Sequence, residues 1–305
     1  MQAQSRPPSR RPRYRIVDGF RMPLDFPPDG LRSGRQYVPE SNDIIVATYP
    51  KCGTTWAQHI VYMLVRDRPI AAHESLGDLF PHLEEVGREA VAALAKPRLI
   101  KTHLPLPMAP FNPSAKFIYV ARNPFDCAVS FYHHTRGFER HYQFSDGTFD
   151  DFFEVFLRGE VDFGDYFSHV RSWFAVAHDL NVHLITYESL KKDIDGEVEA
   201  LGEFLGGSAA RAAQDPGRRA AIIAETSFER MSQNQGRWSS ERPADKPAFV
   251  RKGVVGDWRN YFSAEQLRRL LRRVELELHG TELIDAWSDI LNEVRMRSES
   301  AQRTT

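Results

Sequence analysis

Four short aliphatic runs constrain the fold of this chain more than any other feature of its sequence. Strands with one solvent-exposed face alternate between apolar and polar residues, and these runs do not alternate. Each is therefore expected to form a strand that is covered on both faces. Helical patterns separate the runs, which predicts an α/β fold with a central parallel β-sheet flanked by helices. The runs are Asp43–Thr48, Arg98–Thr102, Lys116–Ala121 and Asn181–Tyr187.

The helical segments carry recognisable start signals. Asn123 precedes Pro124, which suits an N-cap and a first helical position, so a helix is predicted from there to about Thr135. Ser263 with Gln266 three residues later forms a capping box that opens another helix. Further helical patterns cover Thr55–Arg66, which is apolar on most sides, together with Glu84–Ala95 and Tyr166–Leu180.

The length of 305 residues suits one large α/β domain. We expect a single domain over residues 19–296, with a disordered basic tail over residues 1–18 and a frayed tail over residues 297–305. The stretch from Arg237 to Lys252 lacks periodicity and contains two prolines. A loop of this length is typical of a lid or a disordered segment.

Composition excludes several classes of protein. The 40 Lys+Arg and 41 Asp+Glu residues balance, so the chain lacks the basic excess of a non-specific nucleic-acid binder. Two cysteines cannot form a disulfide framework. No apolar run reaches the roughly 18–20 residues that span a bilayer, and no apolar stretch of a secretory signal follows the basic N-terminus. We therefore expect a cytoplasmic protein with no transmembrane segment and no nucleic-acid partner.

The first candidate binding motif is the sequence TYPKCGTTW, from Thr48 to Trp56. It follows a predicted strand and opens a predicted helix, where backbone amides can bind an anion. Gly53 allows a tight turn, and Lys51 adds a positive charge. The spacing is not that of a Walker A loop. An ordinary strand–helix turn with a surface lysine is the competing interpretation.

The second motif, KTHLP, places Lys101 and His103 at the end of a predicted strand. Ligands of open α/β sheets bind outside the carboxyl ends of the strands. His103 is therefore placed where a general base could act, with Lys101 on the same side of the strand. The alternative is a structural histidine with satisfied hydrogen bonds.

Two further motifs carry cations. Arg122 ends a predicted strand, and Ser130 lies two turns into the following helix. An arginine can hold a phosphate with two parallel hydrogen bonds, whereas an aspartate would be expected at this strand end if a metal held the nucleotide. Pairing of Arg122 with Asp126 is the alternative. Arg251, Lys252 and Gly253 end the long loop and suit a second clamp on the same phosphate, or a solvated basic turn.

These motifs, in this order, resemble the cytosolic-type sulfotransferases, which transfer the sulfuryl group of 3′-phosphoadenosine 5′-phosphosulfate (PAPS) to an acceptor hydroxyl or amine. The resemblance covers about Thr48 to Phe262 and implies a P-loop-like three-layer α/β fold. It rests on the segments YPKCGTTW, KTHLP, ARNPFDCAVSFYH and FVRKGVVGDW, with smaller matches at Thr186–Glu188 and Thr226–Met231.

The resemblance assigns a role to each site residue. It implies His103 as the catalytic base, with Lys51 and Lys101 as catalytic cations, and it implies no metal. No HExxH, CxxC or clustered carboxylates suggest a metal site either, and the adjacent His133 and His134 are interpreted as structural. The donor nucleotide is expected to be held at its 5′-phosphosulfate by Lys51, Cys52, Gly53, Thr54 and Thr55, at its adenine by Trp56, Tyr187, Thr226 and Phe228, and at its 3′-phosphate by Arg122, Ser130, Arg251, Lys252 and Gly253.

Three positions depart from the family pattern. Cys52 stands where the family usually has serine, and the nearby Lys51 and helix N-terminus suggest a lowered thiol pKa and sensitivity to oxidation. His82 replaces an aromatic residue in the segment Pro81–Glu84, beside the expected acceptor pocket. Arg268 stands where a dimer motif of the family carries an acid, so we expect a monomer or a weak homodimer.

The acceptor is expected to be a small-molecule or lipid hydroxyl, such as a phenol, an alcohol or a lipid or glycan hydroxyl. Aromatic residues that could wall its pocket are Phe20, Phe26, Phe80, Phe138, Tyr142 and Trp238, although each is also suited to an ordinary core.

Two other functions compete with sulfuryl transfer. A nucleotide kinase of related fold would bind ATP with Mg²⁺, and the missing Walker spacing and Arg122 argue against it. A sensor that binds the phosphoadenosine nucleotide without turnover would need no acceptor-side base, so the presence of Lys51, Lys101 and His103 argues against it.

Overall fold

The computed structural model describes residues 10–238 and 246–300. Its larger sheet has the strand order β4-β3-β5-β6, and every neighbouring pair in it is parallel. A separate antiparallel pair, β1 with β2, lies near the N-terminus. The strands are β1 (Arg15–Val17), β2 (Phe20–Met22), β3 (Asp43–Thr48), β4 (Arg98–Thr102), β5 (Lys116–Ala121) and β6 (Val182–Thr186). The prediction of a central parallel sheet is therefore confirmed, with three of its four strands at the predicted bounds.

Helices cover both faces of this sheet. Within the described residues they are α1 (Pro28–Gly34), α2 (Thr54–Arg66), α3 (Leu76–Leu79), α4 (Leu83–Ala92), α5 (Pro124–Gly137), α6 (Glu139–Tyr142), α7 (Phe149–Leu157), α8 (Tyr166–Phe174), α9 (Tyr187–Lys192), α10 (Ile194–Leu205), α11 (Gly207–Gln214), α12 (Pro216–Glu225), α13 (Phe228–Ser232), α14 (Ala264–Glu277), α15 (Glu282–Ala286) and α16 (Ser288–Ser300). Short 3₁₀ turns occupy Gln235–Arg237 and Asp257–Asn260.

The alternation of side chains along the strands fills two separate cores. Ile45 and Phe117 belong to one apolar cluster, which includes residues of α5, α7, α8 and α14. Ile44 and Ile118 belong to the other, which includes residues of α2, α10 and α11. Because both faces of each strand are buried, the strands have no polar face, which explains their unbroken aliphatic sequence.

The predicted helix starts agree with the structure better than the predicted ends. Asn123 caps α5 through Asp126 N, and the capping box of Ser263 and Gln266 opens α14. The helix predicted over 84–95 is found as Leu83–Ala92 and is interrupted by Gly87, whose φ of 78° is non-helical. The helix predicted to reach Leu180 ends at Phe174.

Regular secondary structure extends into both predicted tails. Residues 15–17 form β1, because Asp18 and Gly19 adopt positive φ angles of 51° and 81° and turn the chain back into β2. This is the turn that a two-residue hairpin requires. At the other end, α16 continues through Ser300. Residues 1–9 and 301–305 of the two tails, and residues 239–245 of the predicted lid loop, lie outside the described residues.

The parallel strands position the functional residues. Strands β3, β4, β5 and β6 all end at the same edge of the sheet, so the segments that follow Thr48, Thr102, Ala121 and Thr186 are brought together there. In open α/β sheets this is the edge at which ligands bind.

Candidate active site

A cavity of about 930 Å³ opens at the carboxyl edge of the sheet. It has the size of a site for a cofactor or a small molecule. Of the predicted site residues, all except Cys52 line it: Lys51, Gly53, Thr54, Thr55, Trp56, Lys101, His103, Arg122, Ser130, Tyr187, Thr226, Phe228, Arg251, Lys252 and Gly253.

The loop between β3 and α2 forms one wall of the cavity. Lys51 and Gly53 have positive φ angles of 69° and 95°. A Cβ at Gly53 would lie 2.8 Å from Cδ2 of Tyr187, so the close approach of these two segments requires glycine. No side chain caps α2, and its first turn contains no acidic residue. Its first backbone N–H groups are therefore suited to bind an anion in the cavity.

Lys51 is held beside this helix terminus by aromatic and imidazole neighbours. Its Nζ lies 4.3 Å from the ring centre of Phe249 and 3.5 Å from Nδ1 of His134. These contacts hold the Lys51 ammonium group at the cavity wall, where a cation suits an anionic ligand.

Arg122 is buried in the cavity wall without a carboxylate partner in the described part of the chain. Its guanidinium donates hydrogen bonds to the carbonyl oxygens of Lys51 and Val254, each at 3.2 Å, and stacks 4.2 Å from the ring centre of Tyr187. The alternative of an ion pair with Asp126 is not observed. The Asp126 carboxylate instead accepts hydrogen bonds from the backbone N–H groups of Gly256 (2.7 Å) and Trp258 (3.1 Å).

The cations of the last motif are paired within the loop. Arg251 and Lys252 contact the two carboxylate oxygens of Asp257 at 2.6 and 2.7 Å. Burial opposes ionisation of Asp257, but the hydrogen bonds from Lys252 and Arg251 prevail and lower its pKa to about 2. Gly253 has a φ of 62°, and a Cβ there would lie 2.5 Å from the Phe228 ring. No sequence pattern had identified Asp257 as the residue that pairs with both cations of this segment.

Aromatic side chains line the part of the cavity next to α2. The rings of Trp56 and Tyr187 have centres 5.6 Å apart at 68°, an edge-on contact. Trp56 Nε1 is buried and has no hydrogen-bond partner in the described part of the chain. The Thr226 hydroxyl donates to the carbonyl oxygen of Ile222 at 2.8 Å, so its oxygen can still accept a hydrogen bond.

His103 is held in one tautomer. Its Nδ1 lies 2.8 Å from the carbonyl oxygen of Thr48, which can only accept, so Nδ1 carries the proton and Nε2 keeps its lone pair. Burial, with help from His82 and Lys101, holds the pKa of His103 well below its usual range. The imidazole is therefore neutral at pH 7 and can accept a proton at Nε2.

Lys101 lines the same region two residues before His103, as predicted from the strand period. Burial lowers the pKa of its ammonium group, and Glu85 and Glu84 partly oppose this effect. The reduced solvation that lowers the pKa also strengthens any contact between this ammonium group and an anion.

Cys52 corrects the prediction made from the motif. Its side chain is fully buried and points away from the cavity, with Sγ 3.9 Å from Sγ of Cys127. Burial raises the pKa of the Cys52 thiol, so the expected lowering by Lys51 and the helix N-terminus is wrong. The Cys52 side chain, between two residues with positive φ angles, lies in the apolar core and not in the cavity wall.

The structure also adds cavity residues that the sequence analysis missed. His134, interpreted as structural, lines the cavity, whereas His133 Nε2 contacts the Tyr261 hydroxyl at 2.7 Å. The signal was present, because His134 follows Ser130 by four residues and therefore shares its helix face. Asp162 and Phe163 also line the cavity, and no sequence pattern pointed to them.

The side of the cavity beyond His103 is mixed in character. Of the six proposed aromatic wall residues, five line the cavity: Phe26, Phe80, Phe138, Tyr142 and Trp238. Phe20 instead packs against Phe163, with ring centres 6.2 Å apart. Polar side chains lie among these rings, including an ion pair between Asp25 and Arg140 at 3.2 Å.

A parallel sheet whose first parallel strand leads through a tight turn into an uncapped helix N-terminus is typical of nucleotide-binding α/β proteins of P-loop-like fold. Residues 41–282 match the family model described as the sulfotransferase domain, and the chain belongs to the sulfotransferase family. It is thus an enzyme that transfers a sulfuryl group to an acceptor. In the described part of the chain, no helix is long and apolar enough to cross a membrane.

Similar proteins cover nearly the whole chain. Sulfotransferase 1C2 of Oryctolagus cuniculus is 32% identical over 294 residues, which cover 90% of this chain and 96% of the relative. Sulfotransferase 1B1 of Canis lupus familiaris is 33% identical over 290 residues, with 90% and 95% covered. The crystal structure of mouse sulfotransferase SULT7A1 complexed with PAP is 28% identical, covers 94% of this chain and 99% of that chain, and has a TM-score of 0.72.

Proposed function

We propose that this enzyme transfers the sulfuryl group of PAPS to a hydroxyl group of a small molecule and releases PAP, adenosine 3′,5′-bisphosphate. The observation that carries the proposal is that an uncapped helix N-terminus with Lys51 and a histidine with a free Nε2 line one cavity. The mouse sulfotransferase with a similar fold was solved with PAP. When bound, PAPS supplies a sulfur centre that is activated by a phosphate leaving group.

The residues of the cavity fit such a nucleotide. Arg122 has an unpartnered, buried Nε and no carboxylate partner in the described residues, as a phosphate site would require. We assign the 5′-phosphosulfate to Lys51, Gly53, Thr54 and Thr55. We assign the 3′-phosphate to the group of Arg122, Ser130, Arg251, Lys252 and Gly253, and the adenine to Trp56, Tyr187, Thr226 and Phe228.

The catalytic step follows from the tautomer of His103. Nε2 removes the proton of the acceptor hydroxyl as its oxygen bonds to sulfur and the bond from sulfur to the phosphate oxygen breaks. A base of this kind contributes roughly 10²–10⁴ in rate. Lys51, Lys101 and the amides of α2 stabilise the negative charge that grows on the leaving phosphate, and single donors of this type are worth about 3–4 kcal/mol.

Titration calorimetry with adenosine 3′,5′-bisphosphate tests the donor site. We expect tight binding without Mg²⁺. Arg122→Ala should reduce the affinity for the bisphosphate much more than the affinity for the analogue that lacks the 3′-phosphate. Arg171→Ala, which removes a surface pair with Glu277 at 3.0 Å, is the matched control. Equal losses of affinity for the two nucleotides would show that Arg122 does not bind the 3′-phosphate. A preference for ADP with Mg²⁺ would favour the kinase alternative.

Replacement of the base tests the catalytic assignment separately. His103→Ala should reduce turnover by the roughly 10²–10⁴ that a general base contributes, while the affinity for the bisphosphate stays nearly unchanged. His178→Ala serves as control, because that side chain is 84% exposed on the surface. Turnover retained in His103→Ala would show that another group takes the proton.

A further inference from the structure

His82 occupies the wall of the cavity directly beside the histidine at its centre. Its ring centre lies 4.8 Å from that of His103, at 83°, and 5.2 Å from that of Phe26. A backbone bridge to Lys101 fixes its position next to the end of β4. The family pattern has an aromatic residue here, so this chain replaces an apolar ring by one with two hydrogen-bonding atoms.

One nitrogen of His82 faces Glu84 in the buried wall. Nε2 of His82 lies 3.2 Å from Oε2 of Glu84 and both atoms are buried, but the contact lacks hydrogen-bond geometry, and neither atom has another partner in the described part of the chain. The other oxygen, Oε1, accepts from the Thr102 hydroxyl at 2.7 Å and from the backbone N–H of His103 at 2.6 Å. The Glu84 carboxylate therefore lies between the two histidines: one oxygen contacts the His82 ring, and the other holds the backbone of His103.

The other nitrogen of His82 is left for a ligand. Nδ1 lies 4.0 Å from Oε2 of Glu85, which is beyond hydrogen-bond distance. Unlike Nε2, Nδ1 is not one of the fully buried polar atoms, and the His82 side chain lines the cavity. Nδ1 can therefore form a hydrogen bond with a molecule bound in the cavity, next to the oxygen that His103 deprotonates.

We propose that His82 is a specificity-determining residue, which binds a second hydroxyl group on the carbon next to the one that carries the reactive hydroxyl. The preferred acceptors are then vicinal diols, including benzene-1,2-diols. The inference rests on the proposed function, because it takes His103 as the base. The two rings are in contact, so a group bound to His82 must be a close neighbour of the oxygen that faces His103, and a phenyl ring at residue 82 would offer it no hydrogen bond.

Isomeric benzenediols provide the test, because they differ only in the position of the second hydroxyl. Their affinities are measured by calorimetry on the full chain saturated with adenosine 3′,5′-bisphosphate. One hydrogen bond is worth up to about tenfold in affinity, so benzene-1,2-diol should bind up to about tenfold more tightly than benzene-1,4-diol. Equal affinities in the unmodified protein overturn the inference, whatever the variants do.

Two variants separate the nitrogens of His82. The side-chain amide of His82→Asn occupies the position of Nδ1 and loses the contact with Glu84, whereas the amide of His82→Gln keeps the position of Nε2 and lacks a group at Nδ1. The preference for the 1,2-isomer should survive in His82→Asn and disappear in His82→Gln. The opposite pattern, or an equal loss in both, would contradict a role for Nδ1. Binding of the bisphosphate by each variant reports on the proposed donor site independently, so its failure is distinguishable from a failure of the inference.

Discussion

Asp162 provides the sharpest test of the electrostatics of this site. The carboxylate is buried in the cavity wall, and one oxygen accepts a hydrogen bond from the Tyr142 hydroxyl at 2.8 Å. The other oxygen, Oδ1, has no partner in the described part of the chain. Burial raises the pKa of Asp162 to about 7, and the hydrogen bond from Tyr142 only partly opposes this.

A raised carboxyl pKa makes the folded state less stable as the pH increases. The unfolded chain releases the Asp162 proton near its usual pKa of 3.8, whereas the folded chain keeps it to about 7. Between these values the folded state binds more protons, so its free energy of unfolding falls with pH. At 1.36 kcal/mol per pH unit, the full difference is about 4 kcal/mol, and about 2.5 kcal/mol of it develops between pH 5 and pH 8.

The substitution Asp162→Asn removes this titration and keeps an oxygen for Tyr142. Urea unfolding of both proteins at pH 5 and pH 8 should show a stability advantage of the variant that grows by about 2.5 kcal/mol across this range. Asp29→Asn is the control, because the Asp29 side chain is 96% exposed, and its effect should be the same at both pH values. A stability difference between Asp162→Asn and the unmodified protein that does not change with pH would refute the reasoning.

Three further outcomes follow from the site. Gly53→Ala places a side chain at a φ of 95° and a Cβ 2.8 Å from the Tyr187 ring, which displaces the loop before α2. Calorimetry should then show the affinity for the bisphosphate reduced roughly tenfold or more. An unchanged affinity would contradict the close approach of the two segments. Cys52 and Cys127 should resist iodoacetamide in the folded protein and react after unfolding, as mass spectrometry would reveal, and rapid labelling of native Cys52 would argue against its burial. Because the pKa of His103 is lowered, kcat/KM should stay on its plateau as the pH falls below 6.5, and a midpoint at or above 6.5 would count against His103 as the base.

Local pattern was sufficient for the sheet and for the starts of helices. The strand bounds Asp43–Thr48 and Lys116–Ala121 follow from aliphatic runs, because the middle of a strand that is buried on both faces is mostly apolar. Caps such as Asn123 also act within one turn of the chain. Helix ends were harder to predict from the sequence. Gly87, for example, interrupts α4 where the sequence continues with residues that favour helices.

The position of the cavity could also be predicted, whereas the partners of its side chains could not. Parallel strands end at one edge, so the motifs after β3, β4 and β5 had to converge, and the order of the motifs indicated the family. Cys52 illustrates the limit, because the same motif permits its thiol to face the ligand or the core, and only the twist of the surrounding loop decides.

What the sequence determined by itself is therefore the layered fold, the edge that carries the site and the kind of reaction, since each depends on residues close together in the chain. Tertiary structure alone decided that Asp126 binds backbone amides 130 and more residues away and leaves Arg122 to the cavity. It also decided that Glu84 lies between His82 and His103 and that Asp162 lacks a partner. The physical reason is that a buried polar group is satisfied by whatever distant segment packs against it, and that choice is absent from the local pattern.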